Sequence, residues 1–114
     1  MSETRITLPT WDGRAKFQYE GSVHQGTTVY VGRNFKHKFT IKGNDYASML
    51  AQFSGQEVSI GTSFSNPPKG SLGEWLKGKH SRCGTSYVGP ILISEGFAER
   101  GADRDRIRVR RLST

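Results

Sequence analysis

The side chains best suited to binding a charged partner lie in a short C-terminal stretch, EGFAERGADRDRIRVRRLS, at 95–113. In this stretch Ile107 and Val109 alternate with arginines after a polar loop of mixed charge, and a period of two is typical of a β-strand with one buried face. Burial explains the apolar residues but not the arginines, whose guanidinium groups bind phosphate or carboxylate oxygens through paired hydrogen bonds. An alternative explanation is that the arginines keep an edge strand from pairing with other chains. The candidate anion-binding residues are Arg104, Arg106, Arg108 and Arg110.

Catalytic chemistry has less support in the sequence. His80 and Cys83 have the spacing of a base and a nucleophile on a helix, but they lie among glycine, serine and arginine with no carboxylate nearby to orient the base. The histidines are scattered without metal-binding spacing, and the acids are single rather than clustered as a nuclease's divalent cation requires. We therefore expect no enzyme activity, no catalytic residue, no metal site and no cofactor.

Composition and charge restrict the class of partner. The formal net charge is +7 and the pI is near 9.9, which favours a polyanion such as nucleic acid. The length of 114 residues and the 11% aromatic content are sufficient for one folded domain over 1–114. Because Cys83 is the one cysteine and no apolar segment reaches membrane-spanning length, we expect a cytoplasmic protein that does not enter a membrane.

Short strands account for the first part of the sequence. The segments 15–20 and 35–41 alternate apolar and polar residues, and 27–31 is rich in β-branched and aromatic residues. These patterns predict a three-stranded antiparallel meander within residues 1–42. A second basic cluster lies on the first hairpin, which the short Gly/Asn connection forms, and we interpret it as a solvated strand face. This cluster consists of Arg33, Lys36 and Lys38.

From residue 43 onward the apolar residues recur at helical spacing. Asn44 can cap a first helix, whose apolar residues fall at i, i+3, i+4 and i+7 from Tyr46 to Phe53. The sequence EVSI at 57–60 is then predicted to be a short strand.

Two more helices and the hairpin follow. The sequence SLGE at 71–74 is a capping box that begins a second helix, with Trp75 on the side that we expect to be buried. Pro90 leaves two alternatives for the third helix: one kinked helix over about 84–95, or a helical turn followed by a short helix with the proline at its first position. In both, Gly96 ends the helix in the left-handed conformation.

The C-terminal sequence ILISEGFAERGADRDRIRVRRLS, at 91–113, also resembles a known family. An apolar helix end leads into a turn, then a Glu-Arg strand, a loop containing Asp-Arg and an arginine-rich return strand. This layout is similar to the recognition-helix end and wing of multiple-antibiotic-resistance type regulators, which have winged-helix DNA-binding domains of the helix-turn-helix class. The matching residues here are Leu92, Glu95–Phe97, Glu99–Arg100, Asp103–Arg106, Val109 and Leu112.

The resemblance implies both a fold and a set of DNA contacts. The short strand after the first helix would join the hairpin in one sheet, the last helix would be the recognition helix, and the hairpin would be a wing beside the groove. The wing arginines would contact phosphates or the minor groove. Ser86 as a helix cap and Tyr87 as a core aromatic residue are alternatives to their DNA contacts. The residues that would contact the DNA backbone or base edges near the recognition helix are Lys77, Lys79, Arg82, Thr85, Ser86 and Tyr87.

We therefore expect an α+β domain in which an N-terminal antiparallel β-meander (1–42) precedes a winged-helix-like three-helix module with a C-terminal β-hairpin (43–114). The expected function is that of a small, basic, non-catalytic protein that binds double-stranded DNA, as a regulator or as an accessory factor of a mobile element or defence system. The alternative is a protein-interaction module that binds an acidic partner through its basic β-edge. We also expect a homodimer formed through the meander, because one small winged helix reads few base pairs.

Overall fold

Two antiparallel sheets and three α-helices form an α+β fold in the computed structural model, which describes residues 5–61, 69–79 and 85–111. This confirms the expected class. The first sheet comes from the N-terminal part of the chain, and the second combines one strand that follows the first helix with the C-terminal hairpin. In chain order the elements are β1 (Ile6–Pro9), β2 (Lys16–Ser22), β3 (Gly26–Val31), β4 (His37–Lys42), α1 (Gly43–Phe53), β5 (Glu57–Ser59), α2 (Leu72–Lys79), α3 (Thr85–Ser94), β6 (Ala98–Arg100) and β7 (Arg106–Val109).

The N-terminal sheet is a meander of four strands in the order β1-β2-β3-β4. The three predicted strands are confirmed as β2, β3 and β4, but the prediction of a three-stranded meander is wrong, because β1 pairs with β2 from Ile6 opposite Tyr19 to Pro9 opposite Lys16. β1 is short, and three of its four side chains are exposed, so it buries little on the core side of the sheet. Proline at its end is compatible with an edge strand, which needs fewer backbone donors.

One face of the meander forms part of the hydrophobic core. Phe17, Tyr19 and Val29 point inward from β2 and β3 and are fully buried. α1 packs against β3 and β4, and there the hydroxyl groups of Thr27 and Tyr46 form a buried hydrogen bond of 2.7 Å. The alternation seen in the sequence therefore reflects burial of one sheet face.

α1 begins earlier than the sequence predicts. Lys42 is its N-cap residue, and no side chain in the described part of the chain caps the helix there. The prediction that Asn44 caps this helix is therefore wrong. At the first residue of the helix space is tight, because a β-carbon on Gly43 would lie 2.5 Å from the carbonyl oxygen of His24 in the β2–β3 turn. A glycine is needed where the chain passes so close to that turn.

The start of α2 is capped largely as predicted. The N–H of Glu74 donates to Oγ of Ser71 over 3.1 Å, and its carboxylate accepts from the N–H of Gly70 over 2.9 Å, one position before the expected donor. Leu76 is 1% exposed and lies on the buried side of the helix. Trp75, expected in the core, is half-buried and packs against the core from its margin.

α3 is a single helix that continues through Pro90, from Thr85 to Ser94. A proline has no N–H to donate to the carbonyl of Ser86 four residues earlier. That carbonyl accepts the backbone N–H of Trp11 over 2.9 Å instead. The proline thus leaves the carbonyl of Ser86 free to accept a hydrogen bond from Trp11, in the segment that follows β1.

The end of α3 confirms the predicted glycine stop. Gly96 has a φ of 85°, and its N–H donates to the carbonyl of Ile93 over 3.1 Å. The N–H of Phe97 donates to the carbonyl of Leu92 over 2.8 Å. These two bonds form a Schellman motif, which turns the chain directly into β6.

The C-terminal sheet has three strands in the order β5-β7-β6, so β7 is central. β5 and β6 both pair antiparallel with β7, with Val58 and Arg100 opposite Ile107 on either side. Ile107 and Val109 are fully buried and belong to the same hydrophobic core as the inward residues of the meander.

Candidate anion-binding surface

β7 carries its arginines on the outer face of the C-terminal sheet. Ile107 and Val109 are buried, whereas Arg106 and Arg108 beside them are exposed, and Arg110 after the strand is exposed as well. The predicted alternation is confirmed. The explanation that these arginines protect an edge strand is wrong, because β7 is paired on both sides.

Arg108 is held by two carboxylates within the sheet. Its Nη2 lies 3.0 Å from Oε1 of Glu57 on β5, and its Nη1 lies 3.4 Å from Oε1 of Glu99 on β6. Both acids are directly opposite Arg108 in the strand register. The hydrogen bond to Glu57, followed by the negative charges of both acids, raises the pKa of Arg108 above its ordinary value. Its charge is balanced locally, so a phosphate would have to compete with two carboxylates for this residue.

The other three candidate arginines have no such partners. Arg104 lies at the tip, Arg106 on β7 and Arg110 just beyond it, and all three side chains are exposed. Within the described part of the chain none of the three forms an ion pair or a side-chain hydrogen bond. Their guanidinium donors are therefore accessible to an external anion.

The start of α3 faces the protein interior. Thr85 is fully buried, and its hydroxyl donates to the carbonyl of Gly61 over 3.0 Å. Tyr87 is half-buried, with its ring centroid 5.3 Å from that of Phe17 in an edge contact and 5.7 Å from that of Phe39. Thr85 therefore has no surface with which to contact a base, and Tyr87 is packed as in the core-aromatic alternative.

α3 as a whole lacks the exposed face that insertion into a DNA groove requires. Among its residues, Ser94 at the last position is the one exposed side chain, and Ser86 is half-buried at the contact with Trp11. Lys77 is exposed on α2. The side chain of Lys79 and all of Arg82 lie outside the described residues, as do His80 and Cys83.

Trp11 connects the N-terminal segment to both α3 and the hairpin, a role that the sequence analysis missed. It is 5% exposed, and its indole N–H donates to the carbonyl of Arg104 over 2.8 Å. The guanidinium carbon of Arg100 lies 4.2 Å from the ring centroid, and the same group donates to the carbonyl of Trp11 over 3.0 Å. Gly89 of α3 also contacts the indole ring of Trp11. A β-carbon on this glycine would lie 2.7 Å from Cε3 of Trp11, so only glycine leaves room for the ring. A single tryptophan in a loop has no periodicity from which this role could be predicted.

A cleft of about 480 Å³ lies between the segment around Trp11 and the hairpin tip. We refer to it as the hairpin cleft. The charged residues that line it are Arg14, Arg100, Arg104, Asp12 and Asp105. Three arginines and two aspartates thus line one concavity, with a formal excess of one positive charge.

Asp12 is bonded to its own loop. Its Oδ1 accepts from the hydroxyl of Thr10 over 2.9 Å and from the N–H of Arg14 over 3.0 Å. The bond from the Arg14 N–H, followed by that from Thr10, holds the pKa of Asp12 below its ordinary value. The second carboxylate oxygen lies 3.8 Å from Nε of Arg14. Asp12 therefore stays ionised and keeps the arginine beside the cleft.

Other acids are also used within the fold, which leaves the outer surface basic. Glu95 accepts the hydroxyl of Tyr19 over 3.0 Å and the N–H of Val23 over 2.9 Å. Burial, together with the bond to Glu95, raises the pKa of Tyr19 to about 12. The second basic cluster, formed by Arg33, Lys36 and Lys38, is exposed, in agreement with its interpretation as a solvated face.

The described residues contain neither a group of metal-binding side chains nor a helix that could span a membrane. Across 5–61, 69–79 and 85–111, no three His, Cys, Asp or Glu side chains are grouped closely enough to hold a metal ion. In the same residues, no helix combines the length and apolar character needed to cross a bilayer. Comparison with protein-family models, with curated proteins and with solved structures gave no match.

Proposed function

We propose that this chain is a non-catalytic, winged-helix-like protein that binds double-stranded DNA through its C-terminal hairpin. The observation that carries the proposal is the exposure of Arg104, Arg106 and Arg110 without internal partners, on a hairpin whose opposite face is core. Guanidinium groups bind phosphate oxygens through short, charge-assisted hydrogen bonds. The net charge of +7 adds a long-range attraction for a polyanion.

The connection of the strands supports the winged-helix-like part of the proposal. β5 follows α1 and pairs with β7. In chain order the helices α2 and α3 therefore come between the first strand of this sheet, β5, and its hairpin, β6–β7. The expected fold has this element order, and its hairpin lies beside the DNA groove while a helix enters it.

The burial of α3 supports contacts that are mainly with the DNA backbone. A helix with Thr85 enclosed and Tyr87 packed on the meander offers few groups to base edges. Phosphate contacts position a protein without reading sequence. We therefore propose that binding is sequence-tolerant and strongly dependent on salt.

The test is duplex binding by the Arg106→Gln/Arg110→Gln double variant, measured by fluorescence anisotropy at several salt concentrations. If each arginine contacts one phosphate, the slope of log K against log salt becomes shallower by about 1.8, since each contact in B-DNA contributes about 0.9. Folding should be nearly unchanged, because exposed side chains contribute little to stability. The matched control is Arg33→Gln/Lys36→Gln, which removes the same charge from the exposed turn before β4.

The control separates contact by the hairpin from general charge attraction. The proposal requires the hairpin variant to lose clearly more affinity than the control and to lose it equally on different sequences. Equal losses in both variants, or no duplex affinity of the parent at low salt, would exclude the hairpin as the DNA-binding surface.

An acidic protein is the second candidate partner, and the position of β7 changes how it would bind. Because β7 is central in its sheet, its arginines form a face and not the basic edge that strand addition would use. A compact protein interface with an apolar centre should respond far less to salt than a DNA complex. The expected homodimer also stays a prediction, with β1 and β4 as the edge strands of the meander available for pairing.

A further inference from the structure

We propose that the hairpin cleft binds the phosphate group of a nucleotide, with Arg14 and Arg104 as the residues that bind it. The inference rests on the proposed function, since it assigns one phosphate contact to a specific concave site. The cleft is separate from the outer face of β7, because Arg106 and Arg110 do not line it. It is formed by two parts of the chain, the loop between β1 and β2 and the hairpin tip.

Arg100 forms the fixed wall of the cleft. One guanidinium nitrogen donates to the carbonyl of Trp11 over 3.0 Å, and the group lies over the indole ring. Its charge is therefore held in place before any ligand arrives. A fixed charge binds an anion at a lower entropic cost than a flexible one.

Arg14 and Arg104 supply the accessible donors. The side chain of Arg14 is 89% exposed and lies near Asp12 at 3.8 Å, a surface ion pair of the weak class. Arg104 is fixed through its backbone carbonyl, which accepts from Trp11, whereas its guanidinium has no partner in the described part of the chain. Both groups can approach a phosphate without breaking a strong internal bond.

The two carboxylates and the size of the cleft favour a nucleotide over a bare ion. Asp12 and Asp105 would repel a second anionic group but can accept hydrogen bonds from hydroxyl or amino groups. The volume of about 480 Å³ lies in the range of small-molecule sites, roughly 300–1,000 Å³. A nucleotide carries both kinds of group, with a phosphate at one end and sugar hydroxyl or base amino groups at the other.

The experiment uses the indole N–H of Trp11 as a reporter, because Trp11 lines the cleft and this group donates to the backbone carbonyl of Arg104. In a ¹⁵N-labelled sample the two tryptophans give two indole peaks, and Trp75→Phe identifies the other one. The probes are a deoxynucleoside 5′-monophosphate, the same nucleoside without phosphate, inorganic phosphate, and duplex DNA, at constant ionic strength. We expect the Trp11 peak to shift with the monophosphate and with the duplex, and not with the nucleoside.

Variants of opposite sign distinguish binding from loss of structure. Arg14→Gln and Arg104→Gln should each weaken monophosphate binding roughly tenfold, as expected for a hydrogen bond to a charged group. Asp105→Asn should strengthen it by up to about fivefold, because it removes a surface negative charge from the cleft. Arg33→Gln is the control, because Arg33 does not line the cleft, and it should leave monophosphate affinity unchanged.

The outcomes separate this inference from the proposed function. Duplex binding with no shift of the Trp11 peak, and with unchanged affinity in Arg14→Gln, overturns the cleft and leaves the hairpin face intact. Monophosphate binding that depends on these arginines, in a parent with no duplex affinity, supports the cleft and removes the DNA-binding proposal. Inorganic phosphate that binds as tightly as the monophosphate overturns the nucleotide assignment.

Discussion

Replacing Gly89 by alanine tests whether the contact between Trp11 and α3 determines how the N-terminal segment packs. Alanine is normally better than glycine within a helix by about 1 kcal/mol. At this position, however, the new β-carbon would lie 2.7 Å from Cε3 and 3.0 Å from Cζ3 of Trp11, and 3.0 Å from Cδ1 of Ile60. Both neighbours are buried side chains, at 5% and 1% exposure, so neither can move away without disturbing the core.

The two effects have opposite signs, and the packing term should dominate. Adding a methyl group to a filled core costs about 1 to 3 kcal/mol, so after the helix-propensity gain of about 1 kcal/mol we expect Gly89→Ala to destabilise the protein by up to about 2 kcal/mol. Gly78→Ala is the matched control, because Gly78 is also in a helix but, among the described residues, no atom beyond its chain neighbours and its own helix backbone lies within 4 Å of its would-be β-carbon. Near the helix end we expect it to stabilise the protein by about 0.5 kcal/mol.

Thermal melts measure both effects, since 1 kcal/mol corresponds to about 4 °C in a domain of this size. We expect a lower midpoint for Gly89→Ala and a slightly higher one for Gly78→Ala. A double-mutant cycle assigns the cause: in a Trp11→Leu background the cost of Gly89→Ala should become clearly smaller, since only the contact with Ile60 remains. If both glycine variants raise the midpoint, Trp11 does not occupy the position described, and the argument for a fixed hairpin tip fails with it.

Two further predictions concern stability. Trp75→Ala should lower the free energy of unfolding by about 2 kcal/mol, because Trp75 is half-buried and truncating a fully buried aromatic residue costs about 3 to 5 kcal/mol. Leu76→Ala, on the buried side of the same helix, should cost more. Denaturant melts that rank the two variants in reverse order would contradict this prediction. The pKa of Tyr19 is raised to about 12, so the folded state keeps its proton while unfolded tyrosines ionise near pH 10. The stabilisation is complete below pH 10 and should be lost between pH 10 and 12, and Tyr19→Phe should reduce this alkaline loss in melts recorded across that range.

The sequence predicted those parts of the fold that depend on local pattern. The strands β2 to β4 follow alternation, the start of α2 follows the Ser71 cap, and the stop at Gly96 follows the need for a positive φ. Each of these signals acts within a few residues of the chain, so tertiary contacts did not need to be known. The outward arginines of β7 were predictable for the same reason.

The remaining features depend on contacts between distant segments. A glycine is needed at position 43 because the start of α1 passes close to the carbonyl of His24, a residue 19 positions earlier in the chain. Arg108 looks like its neighbours in sequence, and only strand pairing places Glu57 and Glu99 on either side of it. Likewise, Pro90 left two alternatives for the third helix, and the backbone N–H that uses the freed carbonyl comes from Trp11 in a distant segment.

The docking of Trp11 has opposite consequences for the two regions that could contact DNA. On α3 it covers the face near Ser86, so the helix has little surface left for reading bases. At the hairpin it binds the backbone carbonyl of Arg104 and leaves the guanidinium exposed. A tip fixed through its backbone loses less conformational freedom when its side chain binds an anion, because part of that loss has already occurred on folding. The same residue that weakens the case for sequence-specific reading therefore strengthens the case for phosphate binding by the hairpin.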